Sequence, residues 1–140
     1  MSLYGRSNEV SVVKYLLFLI LAFLALCACS SPTPEEMASL AAKGYYEHLL
    51  KGEYEKFLEG KAGSDSLPEA YREQLLAGYK QFMAQQNSQH NGINDIRVIN
   101  AMRDTILNYT NVFLMLCFGD STNEQVSVPM IEYNGSWRMR

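Results

Sequence analysis

Val128-Pro129-Met130-Ile131-Glu132-Tyr133-Asn134-Gly135-Ser136-Trp137 is the stretch that decides the fold. Asn134-Gly135 joins two segments of alternating apolar residues, and a two-residue type I′ turn needs positive φ at both central positions, which asparagine and glycine tolerate best. The stretch is therefore a β-hairpin, and the turn sets its register: Glu132 opposes Trp137 and Met130 opposes Met139. Met130, Trp137 and Met139 then share one face, expected to meet the core, while Ile131, Tyr133 and Arg138 share the other.

Upstream of this hairpin the period of two continues back to Asp95, which predicts four strands over 95–104, 109–119, 123–133 and 136–140. Residues 111–118 are apolar on both faces, with Val112, Leu114, Leu116 and Phe118 pointing one way and Phe113, Met115 and Cys117 the other. Such a strand is central in its sheet and covered on both sides. The turn between Gly119 and Asn123 leaves the register of the second and third strands open, because a slip of one residue exchanges their faces.

Before Asp95 the period is helical. Thr33, Pro34 and two acids read as an N-cap, a proline in the first turn and charges that favour a helix N-terminus. A first helix is expected over 35–51, with Met37, Leu40, Ala41, Gly44, Tyr45, His48 and Leu49 on its apolar face. Tyr54, Phe57 and Leu58 mark a short second helix within 53–59. Ser66 and Glu69 have the spacing of a capping box, predicting a third helix over 67–89 whose core face is Tyr71, Leu75, Gly78, Tyr79, Phe82, Met83 and Gln86. The fold class is α+β, with three N-terminal helices packed on a four-stranded antiparallel meander.

The first 28 residues are of another kind. Arg6 and Lys14 precede Tyr15–Leu26, an uninterrupted apolar run of twelve, which is a secretory signal pattern and falls short of the roughly 20 residues a spanning helix needs. Leu26-Cys27-Ala28-Cys29 resembles the bacterial lipobox, departing from the common pattern in Cys27 at the second position, where a small residue is usual and cysteine is small enough to fit. The resemblance implies cleavage before Cys29 and lipidation of its thiol; the alternative is an ordinary signal cut at Ser31. The organisation expected is a lipoprotein signal peptide over 1–28, a lipidated cysteine and short linker over 29–35, and one α+β domain over 36–140. Ser30 after the cysteine resembles outer-membrane lipoproteins, so the expected location is the envelope of a Gram-negative-type bacterium.

Composition narrows the functions. Without residues 1–28 the chain keeps ten basic and fourteen acidic residues, a net charge of −4 with no basic cluster, which argues against nucleic acid as a partner. Lipidation of Cys29 leaves Cys117 alone in the domain, so no internal disulfide is expected. His48 and His90 lie far apart in sequence, and no metal and no cofactor are expected.

The order helix, short helix, long helix and four-stranded meander resembles the nuclear transport factor two-like, or cystatin-like, α+β superfamily over residues 36–140. Tyr46, Leu49, Gly52, Tyr54 and Phe57 resemble the first-helix signature of small envelope lipoproteins of this type, as does the closing hairpin. The resemblance implies a curved sheet wrapped round helices as a cone whose open end can hold an apolar ligand. Tyr45, His48, Tyr79 and Trp137 are placed either to line such a cavity or to fill the core. Enzymes of the superfamily carry a general base and a polarising group inside the cone, but Asp95, Asp104 and Glu132 read as turn and hairpin-end residues, so no catalytic residue is assigned. The expected function is a membrane-anchored, non-catalytic domain that binds a small ligand or an envelope protein. The alternative is an isomerase, dehydratase or hydrolase acting on an apolar molecule. With the helices on one side of the sheet, Phe113, Met115, Ile131 and Tyr133 are left on the other, a candidate homodimer face.

Overall fold

The structure is a computed structural model that describes residues 3–25 and 30–140. The chain divides into two compact units, one ending at Ser31 and the other Pro32–Arg140. The first contains helix α1 (Leu3–Ala25). Among the described residues no helix is long and apolar enough to cross a membrane. The tetrad Leu26–Cys29, and with it the lipidation expected at Cys29, lies outside the described residues.

The second unit opens on α2 (Pro34–Leu50), which starts as its sequence dictates: the Thr33 hydroxyl accepts from the Glu36 N–H at 3.2 Å and the Glu36 carboxylate accepts from the Thr33 N–H at 3.0 Å. This reciprocal pair satisfies two of the donors a helix start leaves open. The face α2 buries is not the one its large side chains suggest. Ala38, Ala42 and Leu49 are buried, with Ala41, Tyr45 and Tyr46 packed beside them, whereas Met37 and Leu40 are exposed. The small alanines let α2 lie close against the sheet, where it touches all four strands.

Helix α3 (Tyr54–Glu59) buries Phe57 and Leu58, and a 3-10 turn at Ser64–Ser66 leads to α4 (Glu69–His90). The capping box expected of Ser66 and Glu69 does not form. Leu67 precedes Pro68, whose ring disfavours helical backbone in the residue before it, and Leu67 is accordingly extended at φ −72°, ψ 136°. The helix therefore begins after Pro68, Glu69 becomes its first residue, and no side chain caps it. Of α4 only Met83 and Gln86 are buried; Tyr71 and Phe82 of the expected face are exposed, and Tyr79 meets the Phe57 ring edge-on at 4.9 Å.

Strands β1 (Ile93–Asp104), β2 (Tyr109–Phe118), β3 (Asn123–Tyr133) and β4 (Ser136–Met139) form one antiparallel sheet in chain order. The hairpin register is the expected one, with Met130 opposite Met139 and Glu132 opposite Trp137, and Asn134 and Gly135 at φ 48° and 79°. The register left open by the sequence is fixed by Thr110 opposite Met130 and Cys117 opposite Asn123. Thr110, Val112, Leu114, Leu116 and Phe118 are buried under the helices, and Phe113, Met115 and Cys117 are half-buried on the outer face. The outer edge of β4 is covered by residues 60–62, since the Met139 N–H donates to the Gly60 carbonyl at 2.7 Å and the Ala62 N–H to the Met139 carbonyl at 2.8 Å. At the other end of the sheet β1, irregular near Asn94 and Ile99, has β2 as its neighbour.

Candidate functional site

Where α3 ends, the chain turns under the β3–β4 hairpin and brings together a polar cleft of about 400 Å³. Glu59 and Lys61 come from the end of α3 and the residues after it, Ser64 and Asp65 from the 3-10 turn, Arg72 from the first turns of α4, Tyr133 and Ser136 from the hairpin, and Arg138 from β4. The Arg138 guanidinium spans this site: it donates to the Glu59 carbonyl and, through Nε, to the Ser136 hydroxyl at 3.0 Å. Arg72 is paired with Glu55 of α3. Among the described residues Lys61 has no ion-pair partner. With Arg72 held by Glu55 and Arg138 by the Glu59 carbonyl and Ser136, Lys61 is the cation left to meet an anionic or strongly hydrogen-bonding group, beside Glu59 and Asp65.

Of the residues singled out in the sequence Tyr133 lines this cleft, and Tyr45, His48, Tyr79 and Trp137 are not gathered there. Tyr45 packs its ring over Gly60 and donates its hydroxyl to the Trp137 carbonyl at 2.7 Å, so this pair is brought together. His48 sits at the C-terminal end of α2 with Nδ1 3.2 Å from a Glu53 carboxylate oxygen. Tyr79 lies on α4 against Phe57, which also meets Tyr46 edge-on. Trp137 lines a smaller pocket of about 70 Å³ with Pro34, Arg103, Asn108, Tyr109, Thr110 and Glu132, which includes none of the other three. Beneath the sheet the space is occupied by Leu49, Phe57, Ile96, Leu114 and Leu116 among others. Phe113, Met115, Ile131 and Tyr133 share the outer face, but it is crossed by polar residues: Phe113 lies opposite Ser127, Met115 opposite Gln125, and the Ser127 hydroxyl bonds Asn111 at 2.6 Å.

Titrating groups are perturbed away from the cleft. Glu53 is pulled down to about 2, first by the hydrogen bond from Lys56 and then by that to His48. Asp120 is likewise lowered to about 2, first by the Thr122 hydroxyl, next by the Thr122 N–H, then by His90. Burial raises Tyr46 and Tyr79, with a smaller push from Tyr79 and Tyr71 respectively. Asp95 is lowered by Arg97 and the Ile96 N–H, while the Asp104 carboxylate accepts from the backbone N–H groups of Ile106 and Leu107 at 2.9 and 2.8 Å. These are turn and surface roles. Among the described residues no group of three His, Cys, Asp or Glu side chains is placed to hold a metal ion. The cleft cations were not legible in the sequence, because Lys61, Arg72 and Arg138 belong to separate segments and form no motif.

No family model matches the chain, and no curated protein does. A solved structure does: a Campylobacter jejuni protein labelled an NTF2-like transpeptidase superposes with a TM-score of 0.56 at 13% identity, covering 70% of this chain and 92% of that one. At that identity the likeness is one of fold. Helices on one face of a four-stranded antiparallel meander give this chain an NTF2-like α+β architecture.

Proposed function

We propose that the chain is a lipoprotein of the bacterial cell envelope, anchored through Cys29, whose folded unit is a non-catalytic binding module with the polar cleft as its site. The observation that carries the binding role is the convergence of Lys61, Arg72 and Arg138 from three segments on one concavity of about 400 Å³, a size within the usual range of ligand sites. Its occupant is a small anion or an acidic segment of an envelope protein. The anchor rests on the signal pattern and on the tetrad ending at Cys29. A second copy of the chain is the proposed partner of the outer sheet face carrying Phe113, Met115, Ile131 and Tyr133.

Two measurements test this reading. Replacing Cys29 by Ala should release the protein from membrane fractions and abolish labelling by a palmitate analogue; retention of both would remove the anchor. For the cleft, a photo-crosslinking residue in place of Ser136 should trap a partner in the intact envelope, or the purified protein should show a thermal shift across a panel of carboxylates and phosphates. Lys61→Glu should abolish either signal. A signal that survives Lys61→Glu, or none in either assay, would rule out the cleft as the site.

A further inference from the structure

We infer that the tip of the β1–β2 hairpin, Ile106 and Leu107, is a second membrane contact that seats the domain end-on against the bilayer holding its anchor. This inference rests on the proposal that Cys29 is lipidated. Ile106 is 92% exposed and Leu107 61%, at a turn whose positions usually go to polar residues. The tip is ordered: the Asp104 carboxylate accepts from both of their backbone N–H groups, so the turn is held closed with its two apolar side chains outward. Met102, 59% exposed, extends the apolar surface down β1.

The tether points the same end at the lipid. Pro34, where α2 begins, lines one small pocket with Arg103 and Asn108 at the base of this hairpin, and Pro32 lines a groove with Val98 and Asn100 of β1. The chain thus enters the domain beside the C-terminal half of β1, at the base of the hairpin. From Cys29 to Pro34 is a path of five residues, at most roughly 18 Å when fully extended. A lipid on Cys29 therefore holds the entry point, and the hairpin beside it, within reach of the bilayer surface. Glu35 and Glu36 lie at this end as well as Arg103, so the contact is apolar in character and does not depend on anionic lipid. A bilayer that takes up Ile106 and Leu107 would set the strands pointing away from it, with the β2–β3 turn distal.

The test uses the full-length lipidated protein, in a Cys117→Ser background, reconstituted into phosphatidylethanolamine–phosphatidylglycerol vesicles. An environment-sensitive fluorophore is placed at Ile106→Cys, at Leu107→Cys or, as the distal control, at Glu124→Cys. Labels at 106 and 107 should shift their emission to the blue and be quenched at least twofold by spin-labelled lipid, while the label at 124 stays water-like. Vesicle flotation of the protein with labels at 106 and 107 as wet as at 124 would overturn the tip contact and leave the anchor standing. A blue shift that spin-labelled lipid does not quench would mean that protein covers the tip, and would equally overturn the inference. Failure of the parent to float, matched by Cys29→Ala, would end both the anchor and the inference built on it.

Discussion

Gly60 and Gly78 show how differently one methyl group acts at two points of this chain. A Cβ on Gly60 would lie 2.5 Å from the Tyr45 ring, which is itself fixed by its hydroxyl on the Trp137 carbonyl. Gly60→Ala should therefore destabilise the protein by about 1–3 kcal/mol, the usual cost of overpacking. A Cβ on Gly78 meets nothing within 4 Å in the middle of α4, so Gly78→Ala should stabilise by about 0.5–1 kcal/mol through helix propensity alone. Urea denaturation of the two variants gives the comparison, and equal signs would contradict it. Asp120 supplies a pH prediction. Its carboxyl is lowered from 3.8 to about 2, so the folded state binds this proton less readily than the unfolded one. Its stabilising contribution is complete above the unfolded value and is lost as the pH falls through the folded one. Between pH 4 and 2 the stability of Asp120→Asn should decline less steeply than that of the parent; parallel slopes would show that the Thr122 and His90 contacts do not matter in solution.

The elements differ in how far their own residues determine them. The second to fourth strands lie within one residue of the expected bounds, and the first begins two residues early, because the Asn134-Gly135 turn and the apolar residues of β2 act locally. Helix faces are another matter. In α2 the buried stripe runs through Ala38 and Ala42, which carry too little apolar surface to stand out beside Met37 and Leu40. In α4 the capping signal was outweighed by Pro68 acting on Leu67, and most of the expected face stayed in solvent because α4 rests mainly on α3. The cleft was illegible for a further reason: its cations meet only once α3, α4 and the hairpin have docked. Thr33→Ala should cost about 1 kcal/mol, since it removes a formed capping box, whereas Ser66→Ala, at an exposed residue that caps nothing, should stay within about 0.5 kcal/mol of the parent. Thermal unfolding of both variants checks this, and a larger loss for Ser66→Ala would mean that α4 starts earlier than Glu69.

For the molecule as a whole, the outer sheet face bears the proposed contact between copies. Phe113 lies opposite Ser127 and apart from Ile131 and Tyr133, so the apolar surface is divided and the association should be reversible. Sedimentation of the full chain in detergent micelles should show a dimer that Phe113→Lys converts to monomer. A monomeric parent at micromolar concentration would end the idea, and a dimer that survives Phe113→Lys would move the contact elsewhere. One end of the sheet carries a further consequence. Residues 60–62 occupy the outer side of β4 with backbone hydrogen bonds from both directions, whereas among the described residues β1 has no strand beyond it. Strand addition beside β4 is thereby blocked, while β1 stays open to it. Two copies joined β1 to β1 would each present a blocked β4 to the outside. That asymmetry works against fibre growth through β4.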